Sequence, residues 1–153
     1  MSLDIIPNSV ILYHDVDFCG KPRKGTLIIS LYGKIYCGTP NFIDDYREAF
    51  LEIPQSMLGQ GEFFALRAKG NSMIGAGIND GDVLIIKMQD YAVNGQIVVA
   101  RLDQDVTLKR YFFVEEQKKY ILHPENEDYE DIVTPRCNIM GIAVKIIKNI
   151  EEV

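Results

Sequence analysis

The residues with the clearest chemical potential are a serine and a lysine, Ser72 and Lys109. Ser72 stands in Gly70-Asn71-Ser72-Met73-Ile74-Gly75-Ala76-Gly77-Ile78-Asn79-Asp80-Gly81-Asp82, which reads as a strand exit, one helical turn and a glycine-rich bend. Lys109 stands in Thr107-Leu108-Lys109-Arg110, mid-way along a strand candidate whose neighbours Val106, Leu108, Tyr111 and Phe112 are largely apolar. Singly, each has a plainer reading: Ser72 caps a short helix, and Lys109 is a solvated strand lysine. Together they suggest nucleophilic catalysis. A serine hydroxyl is a weak nucleophile until a base takes its proton, and lysine serves as that base only when burial disfavours its charged form. From a reference pKa of ~10.4, about one lysine in a few thousand is neutral at pH 7, and a shift of ~3 units makes the neutral form substantial. At ~1.4 kcal/mol per unit the fold must supply roughly 4 kcal/mol, which apolar strand neighbours can provide.

The elements that must position this pair are short and β-like. From Phe63 onward, apolar or alternating runs recur between turn signals: Phe63 to Lys69, Val83 to Lys87, Ile97 to Leu102, Val106 to Phe113, Tyr120 to Leu122 and Met140 to Ile147. That spacing predicts an all-β or mainly β domain with short helical turns. Asn94-Gly95 and Asp103-Gln104-Asp105 suit tight hairpin connections, the second placing Lys109 on a strand directly after a hairpin. Between Asp45 and Met57, Tyr46, Ala49, Phe50 and Ile53 have near-helical spacing before Pro54, so a short helix and an irregular segment both remain open. Val10 to Tyr13 and Leu27 to Leu31 read as strands, with a loop from Gly20 to Gly25 between them.

Composition bounds the rest. The 153 residues, 47% hydrophobic, suffice for one buried core with a loosely attached end. A net charge of -6 and no Lys/Arg-rich run argue against a nucleic-acid surface in these residues. Three cysteines form neither a disulfide framework nor a zinc ligand set, and a reducing cytoplasm is the expected compartment. Neither a signal peptide nor a membrane span is expected, and no cofactor or metal is implied. His14 and His123 read as isolated, Cys137 as packing, and the acidic run Glu125 to Asp131 as a solvated loop. The first stretch lacks the helices of a helix-turn-helix reader.

The blocks Ala68 to Met73, Ile78 to Leu84, Asn94 to Arg101, Val106 to Arg110, Leu122-His123-Pro124-Glu125-Asn126 and Gly141 to Val144 together resemble the LexA/UmuD family, which includes the self-cleaving domains of phage repressors. The resemblance runs from about Leu31 to Lys148, and departs at His123, where a small or apolar residue is usual. It implies twisted β-sheets of the LexA carboxyl-domain kind and a serine autoendopeptidase with Ser72 as nucleophile and Lys109 as base. It also implies an oxyanion hole from the backbone N–H groups of Asn71 and Ser72.

Members of that family cut themselves at an Ala-Gly or Cys-Gly bond upstream of the serine. Tyr32-Gly33-Lys34-Ile35-Tyr36-Cys37-Gly38-Thr39-Pro40 resembles that segment, dividing the chain into an arm, 1–37, and a peptidase and dimerisation domain, 38–153. Cys19-Gly20 lies too far upstream and is read as coincidence. By the same resemblance the partners are a second copy in a homodimer, met through the strand around Ile139 to Ile147, and the RecA filament on single-stranded DNA, which promotes cleavage. A prophage or SOS repressor would reach DNA only through an amino-terminal domain missing from these residues, whereas a UmuD-like subunit would work with an error-prone polymerase. A non-cleaving module of the same fold is the third possibility.

Overall fold

The computed structural model of the protein describes residues 2–5, 10–16, 22–23, 25–33, 47–103 and 105–150. Cys19, Cys37, Gly38 and the His14 side chain lie outside what is described. Twelve strands are found among the described residues: β1 Ser2–Ile5, β2 Val10–Val16, β3 Pro22–Arg23, β4 Thr26–Tyr32, β5 Arg47–Pro54, β6 Phe63–Arg67, β7 Val83–Met88, β8 Ile97–Leu102, β9 Asp105–Val114, β10 Lys119–His123, β11 Ile132–Thr134 and β12 Asn138–Ile147. Two single 3-10 turns, Gln55–Met57 and Ile74–Ala76, complete a mainly β fold, as the run spacing predicts.

The strands follow the order β1-β2-β4-β6-β7-β12-β8-β9-β10-β11, with β3 beside β2 and β5 beside β4. Among the described pairings the one parallel contact is between β4 and β6, where Leu31 faces Ala65 and Tyr32 faces Leu66. Period-two alternation buries both faces of the centre. Leu27, Ile29 and Leu31 of β4 join Ile53, Phe63, Ala65 and Ile85 in one cluster. Tyr32, Phe64, Leu84, Ile86 and Val99 join Met73 and Ile78 in a second, with Leu66, Val106, Leu108 and Met140 packed against it.

The second cluster dictates the shape that brings the chemistry together. β6 and β9 are four steps apart in the strand order, which in a flat sheet is about 19 Å at ~4.8 Å per step. Residues of both nevertheless pack in one cluster, so the sheet curls around it.

Two expectations are revised, and the strand expected to meet a second copy is placed. The open segment is strand β5, which pairs with β4 over its length before ending at the 3-10 turn. Asn94-Gly95 is a turn but not a hairpin between β7 and β8, because β12 lies between those strands. β12 is an edge only in part. Asn138 to Ile142 pairs with β8 while Gly141 to Ile147 pairs with β7, so among the described residues one side of β12 is unpaired after Ile142, where Val144, Ile146 and Ile147 are exposed.

Candidate active site

The turn carrying Ser72 joins β6 to β7 and is closed at its base by paired backbone bonds, Ala68 N–H to the Asp82 carbonyl and Gly81 N–H to the Ala68 carbonyl. Side chains complete the brace. Asp80 accepts from Gly70 N–H at 2.7 Å, Asp82 accepts from Asn79 N–H at 2.7 Å and pairs with Lys148, and Arg67 donates to the Gly81 carbonyl at 3.0 Å. Burial pushes the Asp82 carboxyl up, but the bonds from Lys148 and Asn79 outweigh it and hold the group below the usual range. Met73 plugs the turn into the second cluster at 3% exposure.

Ser72 does not act as a helix cap. The cap position of the 3-10 turn is Met73, with no side-chain capping bond, and Gly77 ends the turn in the left-handed region at φ 81°. The Ser72 hydroxyl instead lies 3.1 Å from Lys109 Nζ. That amine also donates to Thr107 Oγ1 at 2.7 Å and to the Leu108 carbonyl at 3.1 Å. Its cross-strand neighbour on β8 is Val98, which has no exposed surface. Burial accordingly pushes the Lys109 ammonium below the ordinary lysine range. In sign, the folded protein disfavours the charged amine, so folding gains from rising pH between the lowered pKa and the ordinary one.

The segment from His123 to Asn126 clamps the turn from outside. Asn126 Nδ2 donates to the Asn71 carbonyl at 2.8 Å, an oxygen that also accepts from Ile74 N–H at 3.3 Å. A trans peptide points its carbonyl and N–H in opposite directions, so fixing the Asn71 oxygen aims the Ser72 N–H away from it. Among the described residues the N–H groups of Asn71 and Ser72 donate to no acceptor. Gly75 N–H donates to the Glu125 carbonyl at 2.7 Å, and a Cβ on Gly75 would stand 2.6 Å from that oxygen, so the contact requires glycine. The Glu125 carboxylate pairs with Arg110, next to Lys109 on β9. An open cleft of about 570 Å³ runs beside the turn between Ile74 and the His123 to Tyr129 segment.

The structure thus brings Asn71, Ser72 and Lys109 together. Thr107 was missed, although its position two before Lys109 on a strand puts it on the same face. The acidic run is more than a solvated loop: Glu125 pairs with Arg110, and Asp131 accepts from His123 Nδ1 at 2.6 Å. Cys137 packs against the cluster of Val98, Ala100, Tyr111 and Leu122, and burial raises its thiol pKa. Among the described residues no group of His, Cys, Asp and Glu could hold a metal, and no helix is long and apolar enough to cross a membrane.

Residues 30–144, well over half of the chain, match the Peptidase S24-like family. The chain belongs to that family. Among its S24-like relatives, the LexA repressor of Gluconacetobacter diazotrophicus is 43% identical over 131 residues, covering 82% of this chain and 50% of the relative. The LexA repressor of Leptospira interrogans is 40% identical over 121 residues, covering 78% and 59%. That of Caldicellulosiruptor saccharolyticus is 36% identical over 126 residues, covering 82% and 61%. This S24-like chain therefore spans about half to three fifths of the length of the curated relatives it matches.

Proposed function

We propose that the chain is the self-cleaving peptidase domain of a LexA-type repressor, in which a Ser72/Lys109 dyad cuts the chain's own Cys37-Gly38 bond. The observation that carries the reading is the 3.1 Å contact between a desolvated lysine amine and a serine hydroxyl that caps nothing. Neutral Lys109 accepts the Ser72 proton as Oγ attacks the Cys37 carbonyl. The N–H groups of Asn71 and Ser72 stabilise the oxyanion, and Lys109 returns the proton to the departing Gly38 amine. Water then hydrolyses the Ser72 ester by the same base. Thr107 orients the amine.

The fold supports cutting within one chain. The interval holding Cys37 is tied down at both ends, since Tyr32 and Arg47 are ladder partners. Tyr32 shares a cluster with Met73, the neighbour of Ser72. Five residues span at most about 18 Å, a tether short enough that, on this reading, much of the entropy of bringing bond and nucleophile together is prepaid. The division into 1–37 and 38–153 is then one made by cleavage.

The longer protein works in the cytoplasm as a homodimer paired through the apolar edge from Val144 to Ile147, reads DNA through an amino-terminal domain of its own, and is cut faster when a RecA filament favours the docked segment. A second reading, a UmuD-like subunit serving an error-prone polymerase, is favoured by the β-structure of the described residues up to Tyr32. The genomic sequence upstream of Met1 separates the two.

Raising pH from about 7 to 10 should accelerate conversion into Met1–Cys37 and Gly38–Val153, nearly tenfold per unit until Lys109 has titrated. The rate should be independent of protein concentration. Ser72→Ala and Gly38→Glu should stay folded and uncut. Intact-mass spectrometry decides: a cut after Cys19, or cleavage in Ser72→Ala, removes the dyad, and an inert parent protein leaves a non-cleaving module.

A further inference from the structure

What happens to the arm once the chain is cut, which rests on the cleavage reading, turns on how β4 is held. β4 lies before Cys37 in sequence, yet it is among the most buried strands. Leu27 is 3% exposed, Ile29 0%, Leu31 3% and Tyr32 1%. β5 pairs with it from Thr26 to Tyr32 and β6 pairs with it at Leu31 and Tyr32. Among the described side chains, those that cover it, Ile53, Phe63, Ala65 and Ile85, follow Gly38, as does Phe64, whose ring meets Tyr32 edge-on at 6.3 Å. Hydrolysis adds one water across the 37–38 peptide, leaving a carboxylate on Cys37 and an ammonium on Gly38. These charges arise five residues after Tyr32 and nine before Arg47. The cut removes a covalent link, and each of the contacts named above lies between described residues away from that link.

We infer that β4 is a donor strand seated in an acceptor groove between β5 and β6, and that self-cleavage leaves it there. The product is a nicked, noncovalent complex. Release of the arm is a second, separable step: β4 is laddered to β2 within the arm and to β5 and β6 beyond the cut, and a strand held by those last two ladders and an apolar cluster leaves only when that core opens. The groove takes an extended segment with apolar residues at alternate positions, the pattern of Leu27, Ile29 and Leu31.

The test does not depend on the chain cutting itself. A specific protease recognition sequence is placed within residues 39–46 of a Ser72→Ala chain, and the folded protein is nicked by the added protease. The two fragments should co-elute on gel filtration at low micromolar concentration and separate only in denaturant. A fluorescent synthetic peptide of residues 22–37 should exchange slowly into the nicked protein and not into the uncut chain. Leu31→Ala should speed loss of the arm at least tenfold after nicking while the uncut chain stays folded. Fragments that part on dilution in native buffer, or equal peptide uptake by cut and uncut protein, would overturn the inference. Failure of the parent to self-cleave would touch only the reading on which the inference rests.

Discussion

The turn that carries Ser72 and the strand that carries Lys109 are built on opposite principles. The turn, from Ala68 to Asp82, has little regular structure and takes its shape from bonds at its own base and from Glu125 and Asn126 more than 40 residues away. β9 is a ten-residue strand in continuous ladders with β8 and β10. In the proposed dyad, position is the scarce quantity for the serine, whose hydroxyl and neighbouring N–H groups would have to meet one carbonyl. Dielectric is the scarce quantity for the lysine, whose place on a ladder is easily held but whose charge must be disfavoured.

Changing the lysine should break the comparison most completely. Lys109→Ala and Lys109→Arg should each lower self-cleavage by about 10³-fold or more across pH 7 to 10, because neither offers a neutral amine and members of a catalytic unit fail together. Near-UV circular dichroism should show the fold retained, and either variant cutting at the parental rate in a mass-spectrometric time course would reassign the base.

Disturbing the turn from outside should cost less. Gly75→Ala pushes a Cβ against the Glu125 carbonyl, so the turn and its clamp must part by some tenths of an ångström. A loss of about 1–3 kcal/mol in denaturant unfolding is expected from such overpacking, with cleavage slowed roughly 10- to 100-fold. Unchanged stability and rate together would mean that the clamp does not position Ser72.

The smallest effect sharpens the electrostatic side. Thr107 Oγ1 accepts from the lysine amine and so favours its charged form. Thr107→Val should shift the pH–rate midpoint toward acid while the plateau falls by no more than about tenfold, and Thr107→Ser should restore both. A midpoint unmoved by Thr107→Val, measured on the same pH series, would assign Thr107 to packing alone.

How much of this was legible in the sequence follows from the range of each interaction. β6 to β10 and β12 announce themselves because alternation and turn residues are local. The strand at Arg47–Pro54 does not, because most of it is exposed: Leu51 and Ile53 face the core at period two, while exposed Phe50 lies under Arg47 at 4.3 Å and mimics helical spacing. Asn94-Gly95 misleads about pairing because the strand that intervenes, β12, comes some forty residues later. Ser72 and Lys109 were readable as a candidate pair from residue type and apolar context together with the resemblance to the LexA/UmuD blocks. The roles of Glu125 and Asn126 were not, since their contacts exist only once the sheet has curled.

The parallel contact of β4 and β6 gives the molecule a ruler. Tyr32 and Leu66 stand on one rung with their chains running the same way, and from that rung Cys37 is five residues onward and Ser72 six. For the proposed cut, the scissile bond is chosen by counting along a tether more than by reading side chains. Cys19-Gly20 offers the same dipeptide but lies before the rung, on the wrong side of zero.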